Sequence, residues 1–172
     1  MSRRIPSIET SRITAALEDA SRDLLAFLAR RAGDDDAADL LADVALTAWR
    51  RRSSMPEQSE GARMWLFGIA RNTLANAQRS ERRRWSLADR VRNEMTTATP
   101  TAGPDTDQAL EIRAALDTLE PDDAELVRLI HWDGFSVRES AELLGLNEST
   151  ARSRHARAKN ALRQALEPEQ PK

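Results

Sequence analysis

Residues 136–163, SVRESAELLGLNESTARSRHARAKNALR, constrain the fold more than any other stretch. They read as two helices joined by a tight turn. Ser136 is placed to cap the first helix, and Glu139, three residues on, completes a capping box. Ala141, Leu143 and Leu144 give that helix an apolar side. Gly145 suits a left-handed position past the helix end, where a β-carbon meets a steric penalty. Leu146 anchors the turn, and Asn147 is a good N-cap for the second helix. That helix carries Arg152, Arg154, Arg157, Lys159 and Arg163, with no acid between Ser149 and Arg163. Helix, glycine turn and cationic helix make a helix-turn-helix pattern, whose second helix enters a DNA major groove. A plain helical hairpin with a solvated basic face is the competing reading. Caps, turn and charge all agree at the right offsets, which favours DNA.

Within the second helix, Ala151, His155, Ala158 and Leu162 form the inward stripe. His155 is therefore expected to be a partly buried structural histidine rather than a ligand or pH sensor. Ser149, Arg152, Ser153, Ala156 and Arg157 lie on the opposite side. Arginine pairs with guanine O6 and N7 or with phosphate, and serine donates to either. Which arginine reads a base and which holds backbone stays open at this level.

The rest of the composition points to an all-α protein. There is no Tyr, aromatic residues make up 4%, and Leu and Ala supply most of the apolar side chains, whereas strands favour β-branched and aromatic residues. Cysteine is absent, which removes disulfides, thiolate metal sites and Cys nucleophiles. No apolar run reaches membrane-span length and no signal peptide opens the chain, so a cytoplasmic location is expected. The net charge of −2 conceals strong segregation. Residues 1–92 hold 17 basic against 13 acidic side chains, residues 93–148 hold 3 against 13, and residues 149–172 hold 6 against 2. Screening confines each field to about 10 Å, so a nucleic-acid partner meets the local charge, not the sum.

Three helices are expected in the first part of the chain. Residues 11–31 place Ile13, Leu17, Ala20, Leu24, Phe27 and Leu28 on one stripe, and residues 1–10 read as a loose start. Asp34, Asp35 and Asp36 stand just before a second helix, residues 37–51, where they complement its positive end. Leu40, Leu41, Val44 and Ala48 face inward there, while Asp39 and Asp43 share an outer face. A polar loop, residues 53–61 around Pro56, precedes a third helix from about residue 62 past Arg84. Its apolar side is read as Met64, Trp65, Leu66, Ile69, Ala70, Leu74 and Ala77. Its far end carries Arg79, Arg82, Arg83 and Arg84, then Trp85. Spacing alone supports equally a phosphate-and-base surface and a cation-rich helix C-terminus.

Residues 93–108, NEMTTATPTAGPDTDQ, are too poor in apolar groups to bury themselves and read as a flexible linker reaching about 50–58 Å when extended. The expected organisation is two small helical domains, residues 11–92 and 109–166, joined by that tether. The second begins with a helix over residues 109–119. Pro121 opens another with Asp122 and Asp123 in its first turn. No P-loop, G-x-S-x-G or H-E-x-x-H occurs, so no enzyme, cofactor, metal or small-molecule substrate is expected.

These motifs together resemble the bacterial sigma factors of the extracytoplasmic function (ECF) group, which retain only regions 2 and 4. D-L-L-A-D-V-A-L-T-A-W at residues 39–49 is similar to region 2.2, and W-L-F-G-I-A-R-N at 65–72 is similar to the W-L-x-x-I-A-x-N that leads from region 2.3 into 2.4. L-x-x-L-x-P ending at Pro121, then D-G-F-S, A-E-L-L-G-L and T-A-R-S-R-x-x-R-A, is similar to region 4.2. The resemblance implies a factor that binds core RNA polymerase, through the β′ clamp helices and the β flap, and directs it to promoter DNA. It implies polymerase contact by Asp39, Leu40, Asp43 and Thr47, and −10 recognition by the 53–61 loop with Asn72, Asn76, Arg79, Arg82, Arg83 and Arg84. It also implies −35 recognition by Ser149, Arg152, Ser153, Arg154, Ala156, Arg157 and Lys159, and control by an anti-sigma factor. Four positions depart from the pattern. Ala42 replaces the usual Gln and Ala45 the usual Phe, His155 replaces Leu or Ile, and Ala156 is smaller than usual. Two rivals remain: a helix-turn-helix regulator that is not a polymerase subunit, and a protein-only anti-sigma or adaptor module.

Overall fold

The computed structural model describes residues 8–89 and 107–166, with side chains throughout except at 84–89 and 107–109. Seven α-helices and one 3₁₀ turn account for the regular structure, with no strand among the described residues. The chain divides into two compact units, Met1–Gly103 and Pro104–Lys172. Of the expected tether, residues 93–106 lie outside the described residues, as do residues 90–92. Asp107 and Gln108 already belong to a helix.

In the first unit α1 spans Ile8–Ala32, α2 Asp34–Arg50 and α3 Ser59–Asp89. Helix α1 begins three residues earlier than the stripe predicts. A single residue, Gly33 at φ 89°, turns the chain from α1 into α2, a conformation that a β-carbon would strain. The acidic triplet is the first turn of α2 rather than its lead-in, and it meets the same partial positive charge there. The expected polar loop is shorter than its sequence suggests. A 3₁₀ turn covers Arg52–Ser54, α3 starts at Ser59, and Met55 between them is buried.

Ile13, Leu24, Phe27 and Leu28 of α1 pack with Val44 and Ala48 of α2 and Leu66, Phe67 and Ala70 of α3, all essentially solvent-free. Phe27 and Phe67 meet edge to face, centroids 5.3 Å apart and planes at 82°, a favoured aromatic geometry. The sequence pattern passed over Phe67 and named Met64 and Trp65. The structure buries Phe67 and leaves the other two half-exposed. Helix α3 packs against both α1 and α2, so its buried arc is wide and centred on Leu66 and Ala70. Residues 64 and 65 fall at the edge of that arc.

The second unit comprises α4 (Asp107–Asp117), α5 (Pro121–His131), α6 (Val137–Leu144) and α7 (Glu148–Leu166). Leu116, Val127 and Ala158 form one apolar cluster, flanked by Ile112, Leu119 and Leu162. Leu126, Ala141 and Ala151 form another, flanked by Ile130, Val137, Leu144 and Leu146. Helix α7 buries only two residues fully, Ala151 and Ala158. Small contact residues let it lie close on its neighbours and leave most of its circumference outside. No helix among the described residues is long and apolar enough to cross a membrane.

Candidate nucleic-acid interface

Local hydrogen bonds fix the α6–α7 corner. The Ser136 hydroxyl accepts from the Glu139 N–H at 3.2 Å, and the Ser136 N–H donates to the Glu139 carboxylate at 2.7 Å, which completes the capping box. Gly145 sits at φ 68°, ψ 28°, and the Leu146 N–H closes back on the Ala141 carbonyl at 2.8 Å. Asn147 Oδ1 accepts from the Thr150 N–H and the Ser149 hydroxyl, both at 2.8 Å, and so starts α7.

On α7, Ser149, Arg152, Ser153, Ala156, Arg157 and Lys159 are exposed. Arg154 is placed differently from them. Its side chain is 30% exposed and pairs with Asp122 at 3.5 Å and Asp123 at 3.7 Å, at the start of α5. Arg157 reaches Asp123 at 4.0 Å but stays 73% exposed. Arg152 pairs with Glu148 one turn back on its own helix. An exposed i,i+4 pair is worth only about 0.3–0.5 kcal/mol, so a phosphate or a guanine edge displaces it at little cost. Both serines are already engaged locally, Ser153 donating to the Ser149 carbonyl at 3.1 Å. The outward reach of α7 therefore rests on Arg152, Arg157, Lys159 and, toward its end, Arg163, with Arg154 turned toward α5.

The inward stripe holds a contact that sequence spacing did not foresee. His131 Nε2 and His155 Nε2 lie 3.0 Å apart, across α5 and α7. At that separation the two nitrogens pair as donor and acceptor, with the roles set by the tautomers of the two rings. Only one proton fits between them. Burial, then the His131 charge and then Lys159 hold the His155 pKa below its usual value. Among the described residues no group of three or more His, Cys, Asp or Glu is assembled for a metal.

In the first unit, Asn72, Asn76, Arg79, Arg82 and Arg83 are all exposed along α3. Residues 72, 76, 79 and 83 recur every 3–4 positions, so they share one face. Arg79 donates to Asn76 Oδ1 at 2.5 Å, and Arg83 donates to the Ser80 hydroxyl at 3.1 Å. The Arg84 side chain lies outside the described residues. Ahead of α3, the Arg12 guanidinium donates to the Pro56 carbonyl at 2.8 Å. Pro56 lies on Gly61, where a β-carbon would stand 2.9 Å from Pro56 Cβ. Met55 is buried beneath, so the segment between α2 and α3 is strapped at three points. Arg12, 44 residues away in sequence, carried no local signal of this role.

On α2, Asp39 and Asp43 are exposed and Thr47 is half-buried. Leu40 is 7% exposed and belongs to the core, so it presents almost no surface to a partner. The same outer face carries Ala42 with Leu46, 47% exposed, and Trp49, 41% exposed. The face is thus acidic and apolar together, and the exposure of Leu46 and Trp49 on it carried no signal in the sequence pattern.

Known proteins match this chain in both of its units. Residues 17–84 match the family described as Sigma-70 region 2, and residues 109–162 match Sigma-70, region 4. The ECF RNA polymerase sigma factor SigL of Mycobacterium tuberculosis is 28% identical over 169 residues, covering 92% of this chain and 91% of that protein. The ECF RNA polymerase sigma factor EcfG of Rhodopseudomonas palustris is 33% identical over 143 residues, covering 81% and 76%. Among solved structures, the sigma factor RpoE in complex with the anti-sigma factor NepR, from Bartonella quintana, superposes with a TM-score of 0.71. It is 28% identical, with 93% of this chain and 99% of that chain covered.

Proposed function

The chain belongs to the sigma-70 family, as an ECF sigma factor that directs RNA polymerase to promoters, and we propose how its two units divide that work. The second unit reads the −35 element as duplex DNA. Helix α7 enters the major groove, with Arg152 and Arg157 supplying base or phosphate contacts and Lys159 a phosphate contact. Arg154 holds α7 on α5 and sets its angle, with Ser149, Ser153 and Ala156 shaping the surface. The first unit captures the −10 element. The strapped segment before α3, with Asn72 and Asn76, reads a base taken out of the stack, and Arg79, Arg82, Arg83 and Arg84 hold the strand's phosphates. The acidic, apolar face of α2 docks on the basic clamp helices of β′ through Asp39, Asp43 and Thr47, and the second unit meets the β flap. The factor works in the cytoplasm as a polymerase subunit and is held in check by an anti-sigma factor, as RpoE is seen with NepR.

The observation that carries this reading is the exposed row Asn72, Asn76, Arg79 and Arg83 on one unit together with the outward cations of α7 on the other. Core polymerase reconstituted with this chain alone should give run-off transcripts from a mapped promoter. Tight promoter binding by the chain without core enzyme would instead point to a free-standing regulator. Promoter-dependent output that survives charge reversal of both Arg152 and Arg157 would remove the DNA role of α7.

A further inference from the structure

Glycine is the poorest helix former after proline, so each helical glycine asks for a reason. Gly33, Gly134 and Gly145 have positive φ, and Gly61 makes room for Pro56. Gly68 alone among the described glycines has neither reason. It sits inside α3 without positive φ, and a β-carbon there would meet no neighbouring atom of the described residues within 4 Å. Nothing among the described residues uses the missing side chain.

Its position does suggest a use. Residues 61, 65, 68, 72, 76, 79 and 83 recur at helical spacing, so Gly68 lies on the face that carries Asn72, Asn76, Arg79 and Arg83. It opens a notch one turn before Asn72, between that amide and the half-buried Trp65. Asn76 Oδ1 accepts from Arg79, while the Asn72 side chain bonds to none of the described residues. Bare helix backbone beside an uncommitted amide lets a flat, polar-edged group lie closer to the helix than any side chain would allow.

We infer that Gly68 is a specificity-determining position, the notch in which a nucleotide of the captured promoter strand packs against the α3 backbone while Asn72 reads its edge. This rests on the −10 reading proposed above. The side chain absent at 68 sets how deeply the nucleotide seats, and Arg79 and Arg83 hold the strand that brings it there. Stability and function then pull in opposite directions at this residue, which a purely structural glycine would not do.

The test uses holoenzyme reconstituted from core polymerase and the full chain, with Gly68→Ala and Gly68→Gln. The probe is a fluorescein-labelled single-stranded oligonucleotide carrying the non-template −10 sequence of the factor's own mapped promoter, against a scrambled control. Gly68→Ala should raise the thermal unfolding midpoint of the free chain by about 3–6 °C. It should leave affinity for core unchanged and weaken oligonucleotide capture by roughly threefold to tenfold, with Gly68→Gln weaker still. Undiminished capture by either variant overturns the inference, as does a fall in core affinity that matches the fall in capture. A wild-type holoenzyme that binds promoter and scrambled strands equally would fail the −10 reading itself, and the role of Gly68 with it.

Discussion

The His131–His155 pair shows what one residue can change in so small a core. A leucine at 155 would add only apolar contact, whereas His155 also ties α7 to α5 through its hydrogen bond with His131. Its pKa is lowered in the folded chain, by burial first, then by His131 and Lys159. The unfolded chain therefore takes up a proton more readily than the folded one once pH drops below the ordinary value of 6.5. Stability of the second unit should be level above that pH and fall as pH drops through it toward the folded pKa. Denaturant midpoints between about pH 7.5 and about pH 5.5 should show that slope in the wild type and a flatter one in His155→Leu. An identical slope in both would place the pH dependence elsewhere. Arg154 is the other residue whose setting matters. Its partner Asp123 is only 15% exposed, so the pair is more than a surface ornament. Asp123→Asn should loosen Arg154 and weaken promoter binding by the holoenzyme, though it removes a negative charge. A simple gain in phosphate attraction would give the opposite sign.

Among the elements, the α6–α7 corner and the strap before α3 are stabilised by different means. The corner is local: a capping box, a left-handed glycine and an Asn cap within a dozen residues. Ser136→Ala should cost about 1 kcal/mol, seen as a lower unfolding midpoint of the second unit. The strap is long-range. Arg12 donates to the Pro56 carbonyl from another helix, and a hydrogen bond to a charged donor is worth about 1.5–3 kcal/mol at most. Arg12→Ala should leave α1–α3 folded but let the Met55–Gln58 segment exchange amide protons faster, and Arg12→Lys should recover part of the protection. No change in exchange there would mean that Met55 and Pro56 hold the segment unaided.

Across the whole molecule, each unit carries its own core, so damage in one should not spread to the other. Phe27→Ala, which opens a hole against Phe67, should cost about 3–5 kcal/mol and melt the first unit early. The second unit's transition should stay where Ser136 and its cap put it, as two calorimetric steps would show. A single step shifted as one would mean the units unfold together. The helical class and the caps and turn of the α6–α7 corner were legible in the sequence, because each rests on short-range rules: missing β-formers, caps three residues apart, a glycine at a helix end. The outward side of α7 was legible in part. Spacing put Arg152 and Arg157 on the side away from Ala151 and Ala158 and left Arg154 off it, but it did not show what Arg154 meets, since the acids that pair with it lie on α5. Leu40 shows the same limit: a motif gave it a partner role, and the packing of α2 on α1 and α3 buried it. Sequence alone determined which helices form and where they stop, since hydrogen bonds and dihedral preferences act over a few residues. Only the tertiary structure decided which side chains meet across helices — His131 with His155, Arg12 with Pro56, Phe27 with Phe67 — because those contacts depend on how whole helices rotate and settle against one another.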